Sequence, residues 1–125
     1  MKKVIATTRA PAAIGPYSQG IEFGDLIFTS GQVPIDPATG AMPESIEDCT
    51  RRSLENIKAI LEAAGSDMSK VIKTTVFLAD MDDFAAMNGV YASYFEGGEL
   101  PARSAVQIAK LPKGARIEIE VIAHK

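Results

Sequence analysis

The sequence predicts an α+β fold: a single mixed β-sheet with two helices packed on one face. Three observations lead there. β-rich runs and two amphipathic segments alternate in the order strand, strand, helix, strand, helix, strand, strand, and helices that follow strands in this way cover one face of a shared sheet. The strand midway along that order is apolar on both faces, which demands cover on both. The 125 residues, 46% of them hydrophobic, suit one core of the usual domain size of roughly 100–200 residues, so 1–125 is read as one domain.

In chain order, Tyr17 to Phe23 and Leu26 to Gly31 read as strands joined at Gly24-Asp25, a short hairpin signal. Pro34, Pro37, Gly40 and Pro43 then mark a structured loop. The first helix is expected over 45–64, with Ser45 as N-cap, an acid three residues on, and Gly65 as the left-handed stop. At about 100° per residue, Ile46, Thr50, Leu54, Ile57 and Leu61 share an arc opposite Glu47, Arg51, Glu55 and Lys58. Cys49, at the edge of that arc, reads as a small hydrophobe. Val71 to Ala79 is β-branched, with Ile72, Val76 and Leu78 on one side and Val71, Phe77 and Ala79 on the other.

The second helix begins near Asp80-Met81-Asp82-Asp83, whose acids suit a helix N-terminus, and ends before Gly97-Gly98. Phe84, Met87, Tyr91 and Phe95 form its stripe. Asn88 falls in the middle of that stripe, where an unpaired amide is costly; from spacing alone it ties down a neighbouring backbone. Ser104 to Ala109 and Ile117 to Ala123 read as two strands flanking Leu111-Pro112-Lys113-Gly114.

Alternation assigns the faces of those last two strands. Ile117, Ile119, Val121 and Ala123 alternate with Glu118, Glu120, Ile122 and His124; Ser104, Val106 and Ile108 alternate with Arg103, Ala105 and Gln107. With the first set of each turned to the helices, Arg103, Ala105, Gln107, Glu118, Glu120 and Ile122 share the open face. The loop length leaves the register of Arg103 against Glu118 open. A sheet apolar on both sides in a chain with two helices needs a partner subunit, so a homo-oligomer is expected.

Composition narrows the chemistry. Thirteen Lys+Arg against sixteen Asp+Glu give a formal net charge of -3, which offers no electrostatic reason to bind nucleic acid or anionic membrane. No run approaches the ~18 apolar residues of a membrane span. Met1-Lys2-Lys3 is followed by too short an apolar run for a secretory leader, so a cytoplasmic location is expected. A single Cys and a single His cannot build a disulfide or a His/Cys metal cage, and nucleotide-binding glycine motifs are absent; the expectation is a site without metal or cofactor. Arg, Glu, Tyr, Asn and backbone amides remain, a set suited to holding a small carboxylate and activating water.

Three segments concentrate such groups: Gly15-Pro16-Tyr17-Ser18-Gln19-Gly20, Ser30-Gly31-Gln32-Val33-Pro34 and Pro101-Ala102-Arg103-Ser104. Singly, each has a structural explanation. Together, Ala10 to Gly20, Thr29 to Pro34, Val71 to Asp80, and Pro101-Ala102-Arg103-Ser104 with the Ile117 to Ala123 ending resemble the Rid family, in its RidA (YjgF) branch. The resemblance runs from about residue 4 to the end.

It implies a chorismate-mutase-like trimer with sites in clefts between subunits. It also implies hydrolysis of 2-iminobutanoate and 2-iminopropanoate, released by pyridoxal-phosphate dehydratases, to 2-oxo acids and ammonia. By motif position, Arg103 is the implied carboxylate clamp and Glu118 the water-positioning base. Gly31, beside Ser30, adds a backbone N–H, Tyr17 offers a hydroxyl, and Asn88 lies near the site. Ala105 stands where the branch often has Cys, which excludes a thiol nucleophile there. Two other readings stay open: a non-catalytic, carboxylate-binding regulatory trimer, and a ribonuclease or translation inhibitor.

Overall fold

The computed structural model describes residues 1–125. Its elements are β1 (Lys3–Ile5), β2 (Gly20–Phe23), β3 (Leu26–Thr29), α1 (Ile46–Ala63), β4 (Val71–Leu78), α2 (Phe84–Ser93), β5 (Ala102–Gln107) and β6 (Ile117–His124). The strands form one mixed sheet in the order β1-β2-β3-β6-β4-β5. All neighbours are antiparallel except β4 and β5, which are parallel. The α+β expectation holds. No helix is long and apolar enough to cross a membrane.

Helix α1 starts where the sequence says it should: Ser45 Oγ accepts from the Asp48 N–H at 3.1 Å, and Gly65, at φ 80°, turns the chain away. Leu54, Ile57, Ile60 and Leu61 are wholly buried against the sheet, each contributing about 1.5–3 kcal/mol from burial. Parallel strands cannot be joined by a tight turn, so the chain crosses from β4 to β5 through α2. A 3-10 turn, Met81–Asp83, leads in, capped by Asp80 Oδ1 accepting from the Asp82 N–H at 2.9 Å. Arg116 Nη2 donates to both Oδ atoms of Asp83, at 2.9 and 3.0 Å, and pins that entry to the start of β6.

Several expectations are corrected. A short edge strand, β1, precedes the anticipated ones. Strand β2 begins at Gly20, because Gly15-Pro16 throws Tyr17 into a turn whose N–H donates to the Gly15 carbonyl at 2.8 Å. Strand β5 runs Ala102–Gln107 instead of Ser104–Ala109. In β4 the ladder shifts between Val71, opposite Ala123, and Lys73, opposite Ile122. That bulge turns Val71 to the core and leaves Ile72 44% exposed, the reverse of simple alternation.

The largest correction concerns β5. It does not pair with β6, since β4 lies between them. Directly opposed residues share a face, and the rows read Val121–Thr74–Arg103, Ile119–Val76–Ala105 and Ile117–Leu78–Gln107. Val121, Ile119 and Ile117 are buried under the helices, so Arg103, Ala105 and Gln107 are on the helix face, not the open one. Glu118 and Glu120 do lie on the open face, in rows with Phe77 and Val106 and with Thr75 and Ser104. That face is apolar: one row carries Val4, Ile21, Phe28 and Ile122 across four strands, and Phe23 and Val106 are exposed on it.

Candidate active site

The predicted site residues fall into two clusters. The first surrounds Arg103 at the sheet edge. Its guanidinium carbon lies 4.8 Å from the Tyr91 ring centroid and 5.3 Å from that of Phe84, a cation–π seat built by α2. Asn88 Oδ1 accepts from Arg103 Nη1 at 2.6 Å, so the odd amide of the helix stripe holds this side chain and not the backbone anticipated for it. Tyr91 is itself fixed, its hydroxyl 2.7 Å from Thr74 Oγ1 and its ring 4.8 Å from that of Phe95. Burial pushes the Tyr91 hydroxyl up, opposed by Thr74 and Arg103. No carboxylate pairs with Arg103. Oriented on three sides and unneutralised, the guanidinium is prepared for an anionic ligand. Ala105 lies on the same face, packed against the core.

The second cluster lines a cavity of about 590 Å³ that includes Tyr17, Ser30, Gly31 and Glu118. The Glu118 carboxyl has no hydrogen-bond or ion-pair partner within the chain. Burial pushes its pKa up, and the neighbouring Glu120 adds to the rise. Gly31 leaves room for that carboxyl: a Cβ there would sit 2.7 Å from Cδ and Oε2 of Glu118 and push the side chain aside. Its N–H has no acceptor in the chain and is free to bind a ligand. Ser30 is already engaged, its hydroxyl donating to the Ser18 carbonyl at 2.6 Å. Tyr17 is 50% exposed on the cavity wall.

Two buried amides that sequence reasoning passed over hold these walls. Gln19 accepts from the Thr7 N–H at 2.7 Å and donates to the carbonyls of Thr7, Ala10 and Pro11. Asn56, on α1, donates to the carbonyls of Val33 and Ile35 at 3.3 and 2.9 Å. The only signal for either was a polar residue inside an apolar pattern.

The clusters do not meet within one chain. Glu118 and Val106 are both opposite Phe77, so Glu118 is two strand spacings from β5, about 10 Å, and Arg103 is about another 10 Å along it. The two side chains also leave opposite faces of the sheet.

The motif resemblance has a direct counterpart in comparison with known proteins. A model of the family described as Endoribonuclease L-PSP matches residues 7–125. The chain belongs to this family. Among the relatives within it, a 2-iminobutanoate/2-iminopropanoate deaminase of Salmonella typhimurium is 53% identical over 125 residues, covering 98% of both chains. The crystal structure of E. coli TdcF with bound serine matches with a TM-score of 0.96 at 50% identity, covering 98% of both chains. That of the E. coli YjgF gene product matches with the same TM-score, identity and coverage. Of the residues singled out from the motifs, Arg103 and Glu118 are the two ionised groups, and neither has an ion-pair partner within the chain.

Proposed function

We propose that the chain hydrolyses 2-iminobutanoate and 2-iminopropanoate to the 2-oxo acids and ammonia, at sites assembled between copies of itself. One observation carries the reading: an unpaired, aromatic-seated guanidinium and an unpaired, half-buried carboxylate beside a free N–H are present in the same fold. The names of the family relatives and the serine held by the E. coli protein support the substrate class.

The chemistry follows from those groups. Arg103 takes the substrate carboxylate with its planar fork, and the Gly31 N–H adds a donor. Glu118 accepts a proton from water as the water oxygen bonds to C2 of the iminium. The resulting carbinolamine loses its C–N bond as the hydroxyl forms the carbonyl, and ammonia departs with the proton. Water is the only co-reactant. The step has no need of a thiol, which fits Ala105.

The carboxylate carbon and C2 of the substrate are one bond apart, about 1.5 Å, whereas Arg103 and Glu118 of one chain lie on opposite faces. One copy therefore supplies Arg103, Asn88 and Ala105, and the next supplies Tyr17, Gly31 and Glu118. The apolar open face is the surface on which copies meet, in a trimer as the resemblance implies, and the imines come from cytoplasmic pyridoxal-phosphate dehydratases. A pure carboxylate binder leaves Glu118 without purpose. A ribonuclease fits less well, since the single His124 is exposed near the chain end and the net charge is -3.

The test generates 2-iminobutanoate in place with a threonine dehydratase and follows 2-oxobutanoate. Acceleration is expected; equal rates with and without the protein would sink the reading. The shared site has its own test. Arg103→Ala and Glu118→Gln chains, inactive separately, are expected to regain activity when refolded together, because random mixing pairs an intact Arg103 with an intact Glu118 at about a quarter of closed-ring interfaces. A site within one chain regains none.

A further inference from the structure

We propose that Lys113 is the cation that draws the anionic substrate into the cavity beside Glu118 and weights the site toward carboxylate-bearing imines. The inference rests on the deaminase reading and concerns a residue to which neither the motifs nor the fold assigned a task.

Charge balance is the first argument. Among the cavity-lining residues the ionised side chains are Asp36, Glu118 and Lys113. Two carboxylates repel the anion that must enter, and Lys113 is the one cation that this wall supplies. Asp36 is occupied with its own turn, Oδ1 accepting from the Ala38 N–H at 2.8 Å, whereas the Lys113 ammonium has no hydrogen-bond or ion-pair partner. Lys3 and Lys125, by contrast, both pair with Glu22.

Backbone conformation is the second, independent argument. Lys113 has φ 57° and ψ 22° and is the sole non-glycine residue with positive φ; the five others are Gly24, Gly40, Gly65, Gly97 and Gly114. Glycine or asparagine serves such a position with less strain. A non-glycine residue held in a left-handed backbone conformation beside a reactive site points to a use for its side chain. The turn is also well anchored, since Leu111 and Ala115 on either side are buried and the Ala115 N–H donates to the Pro112 carbonyl at 3.1 Å. Lysine here is a long, mobile point charge on a fixed base, suited to attracting a carboxylate that the Arg103 fork then holds.

The test compares the full-length protein with Lys113→Gly and Lys113→Arg. Glycine keeps the left-handed turn and removes the charge, so the variant is expected to melt no lower than the parent. Titration with 2-oxobutanoate at low ionic strength is expected to show about tenfold weaker binding for Lys113→Gly, a gap that closes in high salt as screening removes the attraction. Lys113→Arg is expected to stay within about threefold of the parent, since it keeps the charge. In turnover the loss should appear in KM and leave kcat near the parent value. Parental affinity in Lys113→Gly, a deficit indifferent to salt, or a parent that does not bind 2-oxobutanoate overturns the proposal. A parent that binds but does not accelerate imine hydrolysis removes the deaminase reading alone, and the binding arm still decides the role of Lys113.

Discussion

Arg103→Ala is expected to lower kcat/KM for 2-iminobutanoate by about a hundred- to a thousandfold, as loss of a bidentate, charge-assisted contact to a small anion warrants. The loss should fall on KM as well as kcat, since the carboxylate is bound in ground state and transition state alike. Arg103→Lys is expected to recover little: an ammonium cannot offer the fork, and it loses the planar stacking on Tyr91 and Phe84. Asn88→Ala should fall between, because it frees the guanidinium from the 2.6 Å bond that aims it but leaves its charge. Steady-state kinetics on the four proteins, with melting temperatures as the control for folding, check the series. Activity in Arg103→Ala within a few-fold of the parent would overturn the clamp.

Much of this arrangement was legible before any coordinates. The cap at Ser45, the stop at Gly65 and the β-branched run of β4 are local signals, decided by residues within a turn or two of each other, and they held. What failed was non-local. The face of β5 depends on its neighbour, and its neighbour depends on a crossover through α2 that alternation cannot see. Reading β5 as the partner of β6 put Arg103 and Glu118 on one face, with the distance between them left open; in the structure β4 lies between the two strands and the side chains leave opposite faces.

The apolar face misled in the same direction. Val106 looked like a core residue and is exposed, because it lies on the open face, which carries apolar side chains beside Glu118 and Glu120. The same pattern is the ground for expecting a partner subunit, and the row Val4–Ile21–Phe28–Ile122 has no cover within the chain. Asn88 shows the limit of a burial argument: the amide had to bond to something, yet only the structure names Arg103 as its partner. Lys113 gave no sequence signal at all, because its left-handed backbone is a property of the turn it occupies.

Glu118→Gln is expected to cost the most in kcat, about a hundred- to ten-thousandfold, since a carboxamide keeps the shape but cannot accept the proton of the attacking water. The pH profile supplies a second readout. Burial, and Glu120 after it, hold the Glu118 pKa above the ordinary carboxylate value, and the base works only when ionised. Activity in the parent should therefore fall, as pH drops, at a higher pH than an unperturbed Glu would produce. In Glu120→Gln the acid limb should move down.

Stability runs the other way. A carboxyl whose pKa is raised by folding binds its proton more tightly in the native state, so its contribution to stability is full below the unfolded pKa and is lost as pH rises through the folded one. At neutral pH the charged Glu118 is thus a liability to the fold, and Glu118→Gln is expected to melt higher than the parent at pH 7, with the gap closing in acid. A variant nearly dead in turnover yet more stable than its parent is what a carboxylate retained for chemistry produces. A Glu118→Gln protein that is fully active, or that melts no higher than the parent at pH 7, returns Glu118 to the role of an ordinary strand residue.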